Sequence, residues 1–202
     1  THGWDKKTPT RALKNLGTDF LFPEIKYKFH ACCHGLHSFL EALEELKQEN
    51  NFNPESIEEI AIETNPSWLK VCNIQEPKTG LESKFSYKLT AAMSIYGKDT
   101  ADLGTYNDDI CFDDKMNNIR DKVKVIPNDQ LSNTQSLISI KDGSRDVKNK
   151  HDLSDKIDQN ILETKIVNKS ASLLSKNRSN EISKLLNLPS ESKVASLVDC
   201  LV

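Results

Sequence analysis

The densest set of reactive side chains in this sequence is Lys26-Tyr27-Lys28-Phe29-His30-Ala31-Cys32-Cys33-His34-Gly35-Leu36-His37. Amines, thiols and imidazoles fall on one stretch that reads as a strand running into a helix. Such a corner suits an anion. The first turn of a helix presents unpaired N–H groups and the positive end of its dipole, so a carboxylate can dock there. Lys28 on the incoming segment adds a compact positive charge. His37, about one turn into the helix, can face the same pocket, and an imidazole titrates near neutrality, as proton transfer or carboxylate binding requires. Lys28 and His37 are the candidate catalytic residues, and His30 and His34 are candidate substrate ligands.

Plainer roles compete with each assignment. A Lys at the end of a strand is commonly a solvated charge. His34 could only cap the helix, His30 could be a packed core imidazole, and Cys32 and Cys33 could be small buried hydrophobes. A metal centre is the sharper rival, because Cys-Cys-His-x-x-His offers ligands. Adjacent Cys residues seldom chelate one ion together, however, and Cys72, Cys111, His151 and Cys200 are scattered. The Cys spacings do not match an iron–sulfur pattern. The sequence also lacks G-x-G-x-x-G, P-loop and G-x-S-x-G motifs. Neither a metal nor a cofactor is expected.

The elements that must position this corner can be read from periodicity. Glu24 to Phe29 alternates and reads as a strand. His34 to Gln48 is an amphipathic helix on Leu36, Leu40, Leu43 and Leu46, with Glu41, Glu44, Glu45 and Lys47 off the stripe. Asn53 to Ser56 is a turn, and Glu59 to Thr64 a strand with Ile60 and Ile62 on one face. Ser86 to Tyr96 is a helix that Gly97 stops. Asp113 to Arg120 is a shorter helix. Lys122 to Ile126 and Gln135 to Lys141 are strands, and Asp142-Gly143 is a hairpin turn into a strand at Ser144 to Lys148. A short helix is expected at Thr8 to Leu16, ended by Gly17. A long one is expected at Leu153 to Leu174, and two more are capped by Ser179 and Ser190 and separated by Pro189. Strands and helices are not regularly interleaved. The fold class expected is therefore α+β: a small antiparallel sheet with helices packed on it, followed by carboxy-terminal helices.

Composition narrows the function classes. The 202 residues are 37% hydrophobic and 28% charged, with a net charge of −3. That balance gives no footprint for nucleic acid or an anionic membrane. The apolar runs are too short to cross a bilayer, and Thr1-His2-Gly3-Trp4-Asp5 is not a signal peptide. Five Cys without regular spacing fit a reducing, cytoplasmic compartment. The chain does not open with Met and reads as the carboxy-terminal part of a longer protein.

At this point the sequence resembles the MmgE/PrpD family, which includes 2-methylcitrate dehydratase, cis-aconitate decarboxylase and iminodisuccinate epimerase. The resemblance starts at Lys28 to His37, where the family has a Lys, a short stretch, a Cys and a His at the start of a helix. Three more landmarks follow in the family's order. They are Pro54-Glu55-Ser56-Ile57-Glu58-Glu59-Ile60, then Thr79 to Ser86 with Lys84-Phe85-Ser86 followed by Ala91-Ala92, then Lys122 to Val125 with the later Asp142-Gly143. Two departures stand out. Leu89 occupies a position where the family often has an aromatic residue, with Tyr87 two positions before it and about 200° around the helix. Lys28-Phe29-His30-Ala31 also replaces the Lys-Pro-Tyr form associated with the dehydratase and the decarboxylase.

The resemblance implies a lid domain at 26–150, a lead-in from an upstream helical domain at 1–25, and carboxy-terminal helices of that domain at 151–202. It implies a lyase that eliminates water from a polycarboxylate such as 2-methylcitrate, as in propionate metabolism. An epimerase, a decarboxylase or a non-catalytic binding domain are the alternatives. Lys28 would bind a substrate carboxylate and stabilise developing charge, and His37 would bind or orient substrate. Ser86 is a further candidate substrate ligand, in competition with a plain role as helix N-cap. The remaining acid and base groups would come from the upstream domain. A homodimer is the assembly the family suggests, and neither nucleic acid nor membrane is an expected partner.

Overall fold

The leucine stripe and the two alternating isoleucine strands meet as two layers. The computed structural model describes residues 15–20, 25–143 and 145–186. Helix α1 spans His37–Glu49, preceded by a single 3-10 turn at His34–Leu36. Strand β1 (Ile57–Thr64) follows a 3-10 turn whose Asn53 side chain accepts from the Glu55 amide. Two short helices come next, α2 (Pro66–Leu69) and α3 (Gly80–Ser83), then α4 (Tyr87–Ile95) and α5 (Asp114–Asp121). Strands β2 (Val123–Pro127), β3 (Gln135–Asp142) and β4 (Arg145–Asp152) complete the sheet, and helices α6 (Gln159–Leu174) and α7 (Lys176–Leu186) end the described chain.

The sheet order is β2-β1-β3-β4. Strand β1 runs parallel to β2, pairing Ile60 with Val123 and Ile62 with Val125. It runs antiparallel to β3, pairing Ile60 with Ile140 and Ile62 with Ile138, and β3 forms an antiparallel hairpin with β4. The fold class is therefore α+β as expected, but the sheet is mixed rather than antiparallel. The cause is the long connection from β1 through α2 to α5, which carries the chain back to the starting end of β1 before β2 begins.

Alternation decides which face is covered. Ile57, Ile60, Ile62, Val123, Ile138 and Ile140 all point to one face and are buried. They meet Leu36, Phe39, Leu40 and Leu43 of the first helical region and Leu89, Ala92 and Met93 of α4. Each fully buried aliphatic side chain of this kind contributes about 1.5–3 kcal/mol, so this single interface stabilises most of the described fold. Caps set the helix starts: Ser86 accepts from the Leu89 amide, Asp113 from Lys115 and Met116, and Asp158 from Asn160 and Ile161. Gly143 turns the hairpin at φ +58 and Gly97 ends α4 at φ +68, where a Cβ would be strained.

Several boundaries differ from the sequence reading. Residues 25–29 form no strand. Ile25 and Tyr27 lie exposed, and a surface segment can alternate in type without any ladder to satisfy. The long helix begins at Gln159, not Leu153, because Leu153 is still tied to the sheet end through its amide to the Thr134 carbonyl, 2.9 Å. Ser179 caps nothing: it lies inside α7, buried, with its hydroxyl on that of Ser170. The helix expected at Thr8 to Leu16 falls almost wholly, and Pro189 and Ser190 entirely, outside the described residues. Gly17 does take a left-handed conformation, φ +86. No helix among the described residues is long and apolar enough to cross a membrane.

Candidate functional site

The corner is built by pinning an irregular segment to two turns. The Ala31 amide donates to the Thr100 carbonyl at 2.8 Å and the Cys33 amide to the Lys84 carbonyl at 2.9 Å. The chain then enters the His34–Leu36 turn and α1. Gly35 is required there by close approach. A Cβ on it would stand 2.5 Å from Cε3 of Trp68 and 2.8 Å from Sγ of Cys72, well inside contact distance.

The sequence-predicted histidines come together. The rings of His30 and His37 are 5.1 Å apart and edge-on, and those of His34 and His37 are 5.3 Å apart. His34 also meets the Trp68 ring at 6.3 Å. Their environments differ. His34 is half-buried, while His37 is only 1% exposed. Burial, then the neighbouring His30, His34 and Lys28, lower the His37 pKa to about 3. Burial, then Lys28 and Lys26, lower that of His34. The Cys32 backbone opposes the His37 shift only slightly, and His37 Nε2 is buried without a hydrogen-bond partner.

Lys28 is exposed, on an irregular segment rather than a strand. Its charge nonetheless acts on Cys32, His34, His37 and Lys169, so it belongs to the same corner. Ser86 does not offer a free hydroxyl. It is fully buried, and that hydroxyl accepts from the Leu89 amide at 3.2 Å as the cap of α4.

His30 leads inward instead of to a ligand. Its Nδ1 lies 2.7 Å from the Thr100 hydroxyl. Its Nε2 stands 3.3 Å from Glu41 Oε1, close enough for charge pairing but misaligned for a hydrogen bond. Glu41 is 5% exposed, and its other oxygen takes the Lys165 ammonium from α6. Burial raises the Glu41 pKa, but His30 and Lys165 together outweigh it and bring the carboxyl down to about 2. His30, Glu41, Thr100, Lys165 and Lys169 line a groove of ≈ 690 Å³ between α6, α1 and the loop at 97–101. Lys28, His34 and His37 do not line it.

The thiols are packing groups. Burial pushes Cys32 up to about 12. Burial, then Cys33, raises Cys72 as well. Neither is a ready nucleophile. No cluster of three or more His, Cys, Asp or Glu among the described residues could hold a metal ion.

Sequence reasoning missed Glu41, Thr100, Lys165 and Tyr87. Glu41 had a signal: His34, His37 and Glu41 recur at spacings of three and four and so share one helix face. The others are brought in by chain distant in sequence.

The chain matches the family model of the MmgE/PrpD C-terminal domain over residues 30–187. Lys26 and Lys28 lie just ahead of that span. Among curated proteins none matches the chain. The chain belongs to the MmgE/PrpD family, whose members are generally enzymes.

Proposed function

We propose, from membership of the MmgE/PrpD family as premise, that this chain is the lid part of a cofactor-independent lyase that eliminates water from a small polycarboxylate such as 2-methylcitrate. In this reading residues 26–150 are the lid, 1–25 lead in from an upstream helical domain, and 151–202 return to it. The enzyme works in the cytoplasm as a homodimer. Epimerisation or decarboxylation of a related acid uses the same charge logic and is the alternative chemistry.

The reading is supported above all by one observation: the His30 and His34 rings lie within 5.3 Å of the His37 ring where the 3-10 turn enters α1, just after the segment that carries Lys28. Elimination removes a proton from a carbon near a carboxylate and expels hydroxide, which leaves as water once protonated. Negative charge grows on the carboxylate as the C–H bond breaks. Lys28 binds that carboxylate and stabilises the growing charge. His37 binds or orients the acid, and the base that takes the proton comes from the upstream domain. Unliganded, His37 is a weak base because burial and neighbouring cations oppose its protonation. A docked carboxylate reverses the sign of its surroundings and raises its pKa toward the working range. His34 and His30 contribute to the binding face, Ser86 supports α4, and the acid that protonates the leaving hydroxide comes from the upstream domain.

Lys28→Ala in the full-length protein tests this. It should abolish turnover of the acid used by the wild type while leaving the unfolding midpoint unchanged. Near-normal kcat/KM would remove Lys28 from the mechanism. A second reading, a binding domain that keeps the fold without the chemistry, draws support from the burial of His37 and the commitment of Ser86 as a cap. A panel of citrate-like and aspartate-like acids separates the two, since a folded full-length protein that turns over none of them favours the second.

A further inference from the structure

We infer that Tyr87 is a positioning residue for the histidine corner, an inference that rests on reading the corner as an anion site. Tyr87 opens α4 and is fully buried. Its hydroxyl donates to the Gly35 carbonyl at 2.7 Å and lies 3.1 Å from the Thr64 hydroxyl. A phenol has one proton. With that proton on Gly35, the Thr64 hydroxyl must be the donor to Tyr87, and the direction of the whole chain is fixed: Thr64 to Tyr87 to Gly35. Burial, then the Cys72 thiol, holds the phenol far above its usual range, so it stays a donor at any working pH.

This chain ties three elements at one point. Thr64 ends β1, where it pairs with Pro127 of β2 and Ser136 of β3. Tyr87 begins α4. Gly35 is the middle residue of the turn that carries His34 and leads into His37. On its other side Gly35 is walled by Trp68 and Cys72, at distances that leave no room for a Cβ. The turn is therefore held between a wall and a tether. Both imidazoles hang from it, His34 as the residue before Gly35 and His37 two residues after. The Phe39 ring, 5.2 Å from that of Tyr87, holds the phenol in line. A side chain from position 87 thus reaches the underside of the site, where it sets the orientation of groups without touching a ligand. Catalysis is sensitive to displacements of this small size.

The test is Tyr87→Phe in the full-length protein, with Thr64→Val as the second variant. Two readouts are taken: kcat/KM for the acid that the wild type turns over, and the imidazole NMR signals of His34 and His37. Tyr87→Phe should lower kcat/KM about ten- to a hundredfold and move both imidazole signals. Thr64→Val keeps the phenol on Gly35 and should do the same to a smaller degree; it replaces Tyr87→Phe if that variant does not fold. Unmoved imidazole signals with kcat/KM intact would overturn the inference. If the wild type turns over no acid, the proposed function fails by itself. The imidazole signals then decide for Tyr87: displaced signals support it and unmoved ones overturn it.

Discussion

The sheet layer and the carboxy-terminal helices solve the problem of burial in opposite ways. In the sheet layer every inward position of β1 and β3 is closed over by α1 and α4, and residues such as Leu40, Ile60 and Ile138 have no exposed surface. Helix α6 contains no buried residue. Ile161, Ile166, Val167 and Leu173 are all exposed along it. It is held to α1 and the loop at 97–101 by polar contacts: Lys165 on Glu41, and Lys169 Nζ and Ser172 Oγ on the Ala101 carbonyl at 2.6 and 3.3 Å. One region is stabilised by area removed from water, the other by a few directional bonds.

The contrast can be broken by experiment. Leu40→Ala leaves a cavity in the closed layer and should cost about 2–5 kcal/mol in urea unfolding; a loss below about 1 kcal/mol would show a layer less tightly packed than described. Next in size is the pH dependence carried by the corner. His37 has a folded pKa below its unfolded value of 6.5, so its contribution is fully present above that pH and is lost as pH falls from 6.5 toward 3. Between pH 6.5 and 5 His37 should contribute a slope approaching about 1.4 kcal/mol per unit; His34, whose pKa is lowered as well, adds to the slope there, and His37→Asn should remove the larger part of it. Glu41 adds its own loss only lower, between 4.5 and about 2, which keeps the two apart. An unchanged slope in His37→Asn would contradict the burial assigned to that ring.

Smaller effects belong to α6. Lys165→Met strips the buried Glu41 of its ammonium. With the Lys165 side chain 33% exposed, solvent screening limits the cost to about 1–3 kcal/mol. Hydrogen exchange should quicken in α6 and stay unchanged in β1 and β3; acceleration spread over both would erase the distinction drawn here. Ile161→Ser, on the exposed stripe, should alter stability by no more than about 0.5 kcal/mol, as thermal melts will show.

What could be read in the sequence followed period and punctuation. The leucines of α1, the isoleucines of β1 and β3, the Asp142-Gly143 turn and the Ser86 and Asp113 caps carry their own signals, since each is a local rule. The parallel pairing of β1 with β2 had none, because pairing direction depends on where a long connection returns. The strand expected from Glu24 to Phe29 is not formed over the described residues 25–29, where alternation meets no ladder. The site was legible as a cluster but not as a hierarchy. Spacing placed three imidazoles together. It could not say that His30 turns inward to Thr100 and Glu41, that His37 is closed over, or that Tyr87 holds Gly35 from beneath, since each of these depends on contacts across many residues of chain.

The central claim is that Lys28, His34 and His37 form one receptor for a carboxylate. Titrating the full-length protein with tricarballylate, a tricarboxylate without a leaving hydroxyl, while following the His34 and His37 imidazole NMR signals tests it directly. The account predicts saturable displacement of both signals, abolished in Lys28→Ala. Signals that stay fixed while the acid binds, or that move equally in Lys28→Ala, would contradict it.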